Sequence, residues 1–253
     1  MEGNLFDLSG QTAAISGATR GIGRSMALAL AEAGADVALL QRSPAQTALK
    51  AEIEALGRKC VIIPCDMDDL EQVKDAVPQV VQQLGKLDIL VNNAGIQRRS
   101  PSLDFSEADW DDVLRVNLKT VWILCQQAGR HMVPRGSGKI INTASLLSFQ
   151  GGFTVPAYAA AKGGVAQLTK ALSNEWAKHG VNVNAIVPGY IATEMNEALM
   201  NDPVRSVQII DRIPAGRWGN PDDMKGAVVF LASAASNYIH GHLLAVDGGW
   251  LSR

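Results

Sequence analysis

Cysteine is scarce in this chain. Cys60, Cys65 and Cys125 are odd in number and form no C-x-x-C pair, so neither a disulfide framework nor a thiolate metal site is expected and buried free thiols are. The four histidines, His131, His179, His240 and His242, form no helical H-x-x-x-H pair, and no metal is expected. Neither sign of charge dominates: 23 Lys and Arg against 25 Asp and Glu leave a net charge of −2, so no long-range field favours nucleic acid or an anionic membrane. No apolar run reaches the ~18 residues that span a bilayer, and Met1 to Gln11 has neither a basic n-region nor an apolar h-region. A cytoplasmic protein with a small-molecule substrate is the expectation. Internal repeats, low-complexity tracts and linkers are also missing, so residues 1–253 are read as one domain. With 47% apolar and 19% charged residues, the chain has the means to bury a sizeable core.

What is present is an alternation of strands and helices. Apolar runs at Thr12–Ser16, Asp36–Leu40, Cys60–Ile63, Leu87–Val91, Lys139–Thr143, Val181–Val187 and His242–Val246 alternate with segments of helical spacing. That alternation predicts an α/β fold with one doubly wound parallel sheet and helices on both faces. The stretch from Trp110 to about Met132 reads as one helix with Asn117 inside it, and Pro221–Ala235 as the last helix. Residues 190–215 are less periodic and more polar, as expected of a lid over a substrate.

The first strand runs into Gly17-Ala18-Thr19-Arg20-Gly21-Ile22-Gly23 and then a helix. Glycines let the backbone turn tightly against a pyrophosphate, and the helix start attracts the anion. The spacing is G-x-x-x-G-x-G rather than G-x-G-x-x-G, and a tight turn with no ligand is the alternative. At the end of the second strand the acidic residue that takes an adenine ribose hydroxyl is missing. Gln41 and Arg42 stand there instead, and with Arg20 they favour a ribose 2′-phosphate over solvated loop charges. Asp66 ends the third strand, placed either to accept from an adenine amino group or to cap the next helix. Asn92-Asn93-Ala94-Gly95 follows the fourth, and Gln97-Arg98-Arg99 beyond it offers cations for a substrate carboxylate or a solvated pair. Tyr158 and Lys162 are four apart in a helical run, so both side chains leave one face. A nearby ammonium favours the phenolate, which makes a tyrosine of ordinary pKa near ~10 a usable proton donor and acceptor.

Gly17-x-x-x-Gly21-x-Gly23, Asn92-Asn93-Ala94-Gly95, Asn117, Ser145, Tyr158-x-x-x-Lys162 and Pro188-Gly189, in this order, resemble the short-chain dehydrogenase/reductase family across the whole chain. Ser16 departs from the family's usual Thr but keeps a hydroxyl. The resemblance implies a Rossmann fold with strand order 3-2-1-4-5-6-7 and hydride transfer between a secondary alcohol or ketone and NAD or NADP. It implies that Tyr158 exchanges the proton, Ser145 polarises the substrate oxygen, Lys162 binds the nicotinamide ribose and lowers the tyrosine pKa, and Asn117 holds a water leading from Lys162 to solvent. Gly17, Thr19, Arg20, Gly21, Ile22, Gly23, Gln41, Arg42, Asp66, Met67, Asn92, Ala94, Gly95, Pro188, Gly189, Ile191 and Thr193 then belong with the cofactor. Arg98, Arg99, Gln150 and Met195 join Ser145 at the substrate. A narrower resemblance, in Ser145–Gly152, Asn174–His179, Arg212–Gly219 and Val246–Arg253, is to dehydrogenases of 2-deoxy-D-gluconate and 2-dehydro-3-deoxy-D-gluconate. That branch is mostly associated with NAD, whereas Arg20 and Arg42 lean toward NADP.

Members of this kind are usually homotetramers, and Trp250-Leu251 reads as an exposed apolar contribution to an interface. Two other readings stand beside the sugar-acid one: an NADPH-dependent reductase of a bulkier neutral ketone, and a non-catalytic dinucleotide sensor. A sensor needs none of Ser145, Tyr158, Lys162 and Asn117.

Overall fold

Residues 4–253 are described by a computed structural model. Seven strands, β1 (Thr12–Ser16), β2 (Asp36–Gln41), β3 (Cys60–Pro64), β4 (Ile89–Asn92), β5 (Gly138–Thr143), β6 (Val181–Pro188) and β7 (Leu243–Val246), form one sheet in the order β3-β2-β1-β4-β5-β6-β7. Every neighbouring pair is parallel. The central strands are buried along their length, which is why they read as continuous apolar runs rather than alternating ones.

Helices α1 (Gly21–Glu32), α2 (Ala48–Ala55), α3 (Leu70–Leu84), α4 (Glu107–Leu114), α5 (Thr120–Arg135), α6 (Pro156–Trp176), α7 (Glu197–Met200), α8 (Pro203–Arg212) and α9 (Lys225–Ala232) complete the order. Two large apolar cores and a small cluster of Val113, Ala157 and Ala161 result. One large core packs α3, α5 and α6 against one face of the sheet; the other packs α1, α2 and α9 against the opposite face. Polar side chains inside the sheet pair with one another: Asn142 accepts from Asn92 at 2.9 Å and donates to Thr169 at 2.9 Å, while Asn92 Oδ1 is buried without a partner. No helix among the described residues is long and apolar enough to cross a membrane. All three cysteines are free and buried, and burial pushes each thiol up to about 12.

Three local expectations are corrected. The helix read from Trp110 to Met132 is interrupted by a π-helical turn at Arg115–Lys119, between α4 and α5. The last helix opens as a 3-10 turn at Pro221–Met224 and ends at Ala232, short of Ala235. Trp250 is not exposed: only 4% of it meets solvent, because it packs against Tyr190 with ring centroids 4.6 Å apart and lies under the Arg212 guanidinium at 4.0 Å.

Candidate active site

All strands point the same way, so their carboxyl ends bring the loops after β1, β2, β3, β4, β5 and β6 to one edge, where a cleft of about 1410 Å³ opens. Pockets for one small molecule are typically ~300–1,000 Å³, so this cleft has room for a dinucleotide and a substrate together. Its walls include Gly17, Thr19, Arg20, Gly21, Ile22, Gly23, Gln41, Arg42, Asp66 and Met67 at one end. Ala94, Gly95, Tyr158, Lys162, Pro188, Gly189, Ile191 and Thr193 line the middle, and Arg98, Arg99, Ser145, Gln150 and Met195 the other end.

The glycine turn is locked to the turn after β4. Ser16 Oγ accepts from the backbone N–H of Asn93 and of Ala94, each at 3.1 Å, and Asn93 Nδ2 donates to the carbonyls of Ser16 and Gly17 at 3.2 and 3.0 Å. A Cβ on Gly23 would stand 2.1 Å from the Gly17 carbonyl oxygen, and Gly17 itself holds φ +67°, so neither position takes another residue without distortion. Helix α1 starts here with no side-chain cap and no acidic residue in its first turn. Its unmet N–H groups and positive dipole end face the cleft, a cradle that fits a pyrophosphate.

Asn92 is placed differently from the expectation. It is the last residue of β4 and its side chain turns into the sheet, donating to Asn142 Oδ1 at 2.9 Å and to Cys125 Sγ at 3.2 Å. Adjacent residues of an extended chain face opposite ways, so Asn93 takes the position at the glycine turn. Asn117 is also outside the cleft wall. It is fully buried in the π turn, where its Oδ1 accepts from the Ile96 N–H and its Nδ2 donates to the Ile96 carbonyl, both at 2.8 Å. Both ends of that amide are used on the chain, so the side chain holds the 93–97 loop. Asp66 lines the cleft, while the helix cap it was offered for is supplied by Asp69, which accepts from Glu71 and Gln72 N–H.

Ser145 opens a 3-10 turn after β5, and its hydroxyl accepts from the Leu147 N–H at 3.2 Å. Ser148, which sequence reasoning missed, returns its hydroxyl to the Ser145 N–H at 3.3 Å and donates to the Lys162 carbonyl at 2.7 Å, tying this turn to α6. On α6, Lys162 Nζ donates to the Thr143 carbonyl at 2.6 Å and sits 5.6 Å from the Tyr158 ring centroid. Burial lowers Lys162 to about 8, which leaves it mostly a cation at neutral pH. Burial also raises the Tyr158 phenol, while a hydrogen bond from Ser145 and the charge of Arg99 act to lower it. Two hydroxyls and a cation thus meet at one point, where a proton can pass to or from an alcohol oxygen.

The two arginines after β4 separate. Arg98 pairs with Asp112 at 2.7 Å and Asp109 at 3.3 Å, so its charge is answered within the chain. Arg99 has no carboxylate partner among the described residues and donates to Gln97 at 2.8 Å; burial lowers its pKa, and Tyr158, Tyr190 and Arg205 line the same cleft. Arg205, Gln208 and Arg212 of α8 also line this end and were not singled out from the sequence. Their helical spacing, on one face, was the available signal. Gln150 is a structural neighbour of that face, since its Oε1 accepts from Trp250 Nε1 at 3.3 Å and Arg212 at 3.4 Å. Gln41 is buried, and its amide donates to the carbonyls of Ser43 and Gln46, shaping the loop that presents Arg42.

Comparison with known proteins agrees with this geometry. The family described as enoyl-(acyl carrier protein) reductase matches residues 17–251. The 2-dehydro-3-deoxy-D-gluconate 5-dehydrogenase of Escherichia coli K12 is 48% identical over 252 residues, 99% of each chain. A solved structure from Agrobacterium tumefaciens, provisionally named a 2-deoxy-D-gluconate 3-dehydrogenase and holding NADP, is 49% identical with a TM-score of 0.93, covering 99% of this chain and 100% of that one. The gluconate 5-dehydrogenase of Burkholderia cenocepacia, in complex with NADP and tartrate, is 43% identical with a TM-score of 0.94 over 98% of each. With a sheet in the order 3-2-1-4-5-6-7, a glycine cradle at its first turn and Ser145, Tyr158 and Lys162 converging at its carboxyl edge, the chain belongs to the short-chain dehydrogenase/reductase family of oxidoreductases.

Proposed function

We propose that this protein oxidises or reduces a sugar acid of the 2-dehydro-3-deoxy-D-gluconate or 2-deoxy-D-gluconate kind, with NADP as the favoured cofactor. The observation that carries the substrate reading is Arg99: a guanidinium with no acid of its own, on the same wall as Ser145 and Tyr158. A carboxylate set against it, with Arg205 approaching from α8, aims a substrate hydroxyl at the phenol. The relatives named for sugar acids support the same assignment. Arg42, free of any ion pair among the described residues, and the lack of an acid at the end of β2 favour a ribose 2′-phosphate; NADP-bound relatives agree.

NADP bound along the glycine turn would supply the carbon that accepts or returns hydride. In the reductive direction the Tyr158 phenol gives its proton to the nascent alkoxide, and in the oxidative direction its phenolate takes the hydroxyl proton as the substrate carbon gives up hydride. Ser145 donates to the same oxygen, and Lys162, fixed by the Thr143 carbonyl, keeps a positive charge beside the phenol. Asn117 acts through Ile96 by holding the loop that carries Arg99. Residues 190–215, with α7 and α8, form the lid of a single catalytic domain.

Arg99→Gln tests the substrate reading. It is expected to raise KM for the sugar acid by roughly 10- to 100-fold, the loss of one charge-assisted pair, with less effect on a neutral ketone. An unchanged KM for the sugar acid would favour the ketone reductase. We place the enzyme in the cytoplasm as a homotetramer, in keeping with buried reduced thiols and with apolar side chains at Trp110, Trp122 and Tyr238 that reach solvent. Light scattering that returned a monomer mass would refute that assembly.

A further inference from the structure

The glycine turn and the lid touch at two adjacent points. The Thr193 methyl lies over Gly21, where a Cβ would stand 3.4 Å from it. At the next residue, Glu194 Oε2 accepts from Arg20 Nη1 at 2.5 Å. Arg20 immediately precedes α1 on one wall of the cleft, and Glu194 opens the short 3-10 turn Glu194–Asn196 on the other. Burial does not enforce the pair, since the two side chains are 74% and 64% exposed. The two guanidiniums at the adenosine end therefore differ: Arg42 has no ion pair among the described residues, while Arg20 is answered by a carboxylate of the chain.

A phosphate monoester carries up to two negative charges and three acceptor oxygens, and it competes directly with one carboxylate for a guanidinium. We infer that Glu194 sets selectivity between NADP and NAD: it holds Arg20 in competition with the ribose 2′-phosphate, so NADP exchanges a protein carboxylate for its own phosphate, whereas NAD leaves the pair intact. This rests on the reading that the 2′-phosphate lies between Arg20 and Arg42. An exposed ion pair is weak, and its release shifts an equilibrium by about 1.5- to 5-fold. That is enough to bias a choice between two cofactors present together, and it falls as salt screens the pair.

Calorimetric titration of NADP and NAD into the wild type and four variants tests this without turnover. Glu194→Gln removes the charge at an exposed position, and is expected to tighten NADP by about two- to fivefold while NAD stays unchanged. In the Arg20→Gln background the same change is expected to do nothing. An equal gain for both cofactors, no gain for NADP, or a gain that persists without Arg20 overturns the proposal. If Arg42→Gln weakens NADP and Arg20→Gln does not, the 2′-phosphate reading survives and the role of Glu194 does not. If neither variant weakens NADP, both are overturned.

Discussion

Lys162 is the costliest side chain in the site. Its ammonium is buried, has one carbonyl partner, and has been lowered to about 8 by loss of water. In the proposed mechanism its cation serves proton exchange at Tyr158, so function and stability pull apart at this residue. Lys162→Met removes the buried charge, retains most of the volume, and gives up only the bond to Thr143. It is expected to lower turnover at least ~10²-fold and to stabilise the protein by about 1–2 kcal/mol. Activity near wild type, or a lower melting temperature, would contradict the assignment. Ser145, Tyr158 and Lys162 line one cleft, as the family resemblance implied; the Tyr-x-x-x-Lys spacing alone did not announce it, because such pairs occur on many solvated helix faces. The placement of Asn92 was not legible, because adjacent amides at a strand end differ only in which side they face, and Arg98 and Arg99 could not be ranked until Asp109 and Asp112 were seen to claim the first.

At the scale of elements, the strands were readable because burial on both faces leaves unbroken apolar runs, whereas the cap of α3 was not, because Asp66 and Asp69 both stand before the helix and only Asp69 accepts from Glu71 and Gln72 N–H. Nor was the π turn at Arg115–Lys119. Its cause is a contact 21 residues away in sequence: the Asn117 amide meets both backbone groups of Ile96, an interaction no local pattern announces. Asn117→Ala leaves a buried N–H and C=O without partners, and is expected to destabilise the protein by about 2–4 kcal/mol and to raise KM through a loosened 93–99 loop. The readout is thermal unfolding beside steady-state kinetics. An unchanged melting temperature would mean that water takes over both groups and that the amide is not what holds the loop.

For the whole molecule, the buried ionisable groups set an alkaline stability profile whose shape follows from two opposing sets. Lys162 and Lys139 are both lowered by burial to about 8 from 10.5, so between those values the unfolded chain binds more protons than the folded one and stability rises with pH. Below pH 8 both lysines are charged in either state and the full penalty stands. Cys60, Cys65 and Cys125 act the other way: raised to about 12 from 9.0, they keep protons that the unfolded chain has released, so stability falls as pH climbs from about 9 to 12. Near pH 8.5 the lysines are titrating in the folded state while the unfolded thiols are only partly ionised, and the first set wins. Near pH 10 the three thiols outweigh the two lysines, and the raised Tyr158 phenol adds to their effect. The melting temperature is therefore expected to pass through a shallow maximum at about pH 9 and to drop steeply above pH 10. Scanning calorimetry under reducing conditions from pH 7 to 11 checks this. Lys162→Met should move the maximum to lower pH by removing half of the rising limb, and a melting temperature that only falls from pH 7 upward would show that the lysines are not desolvated as the fold places them.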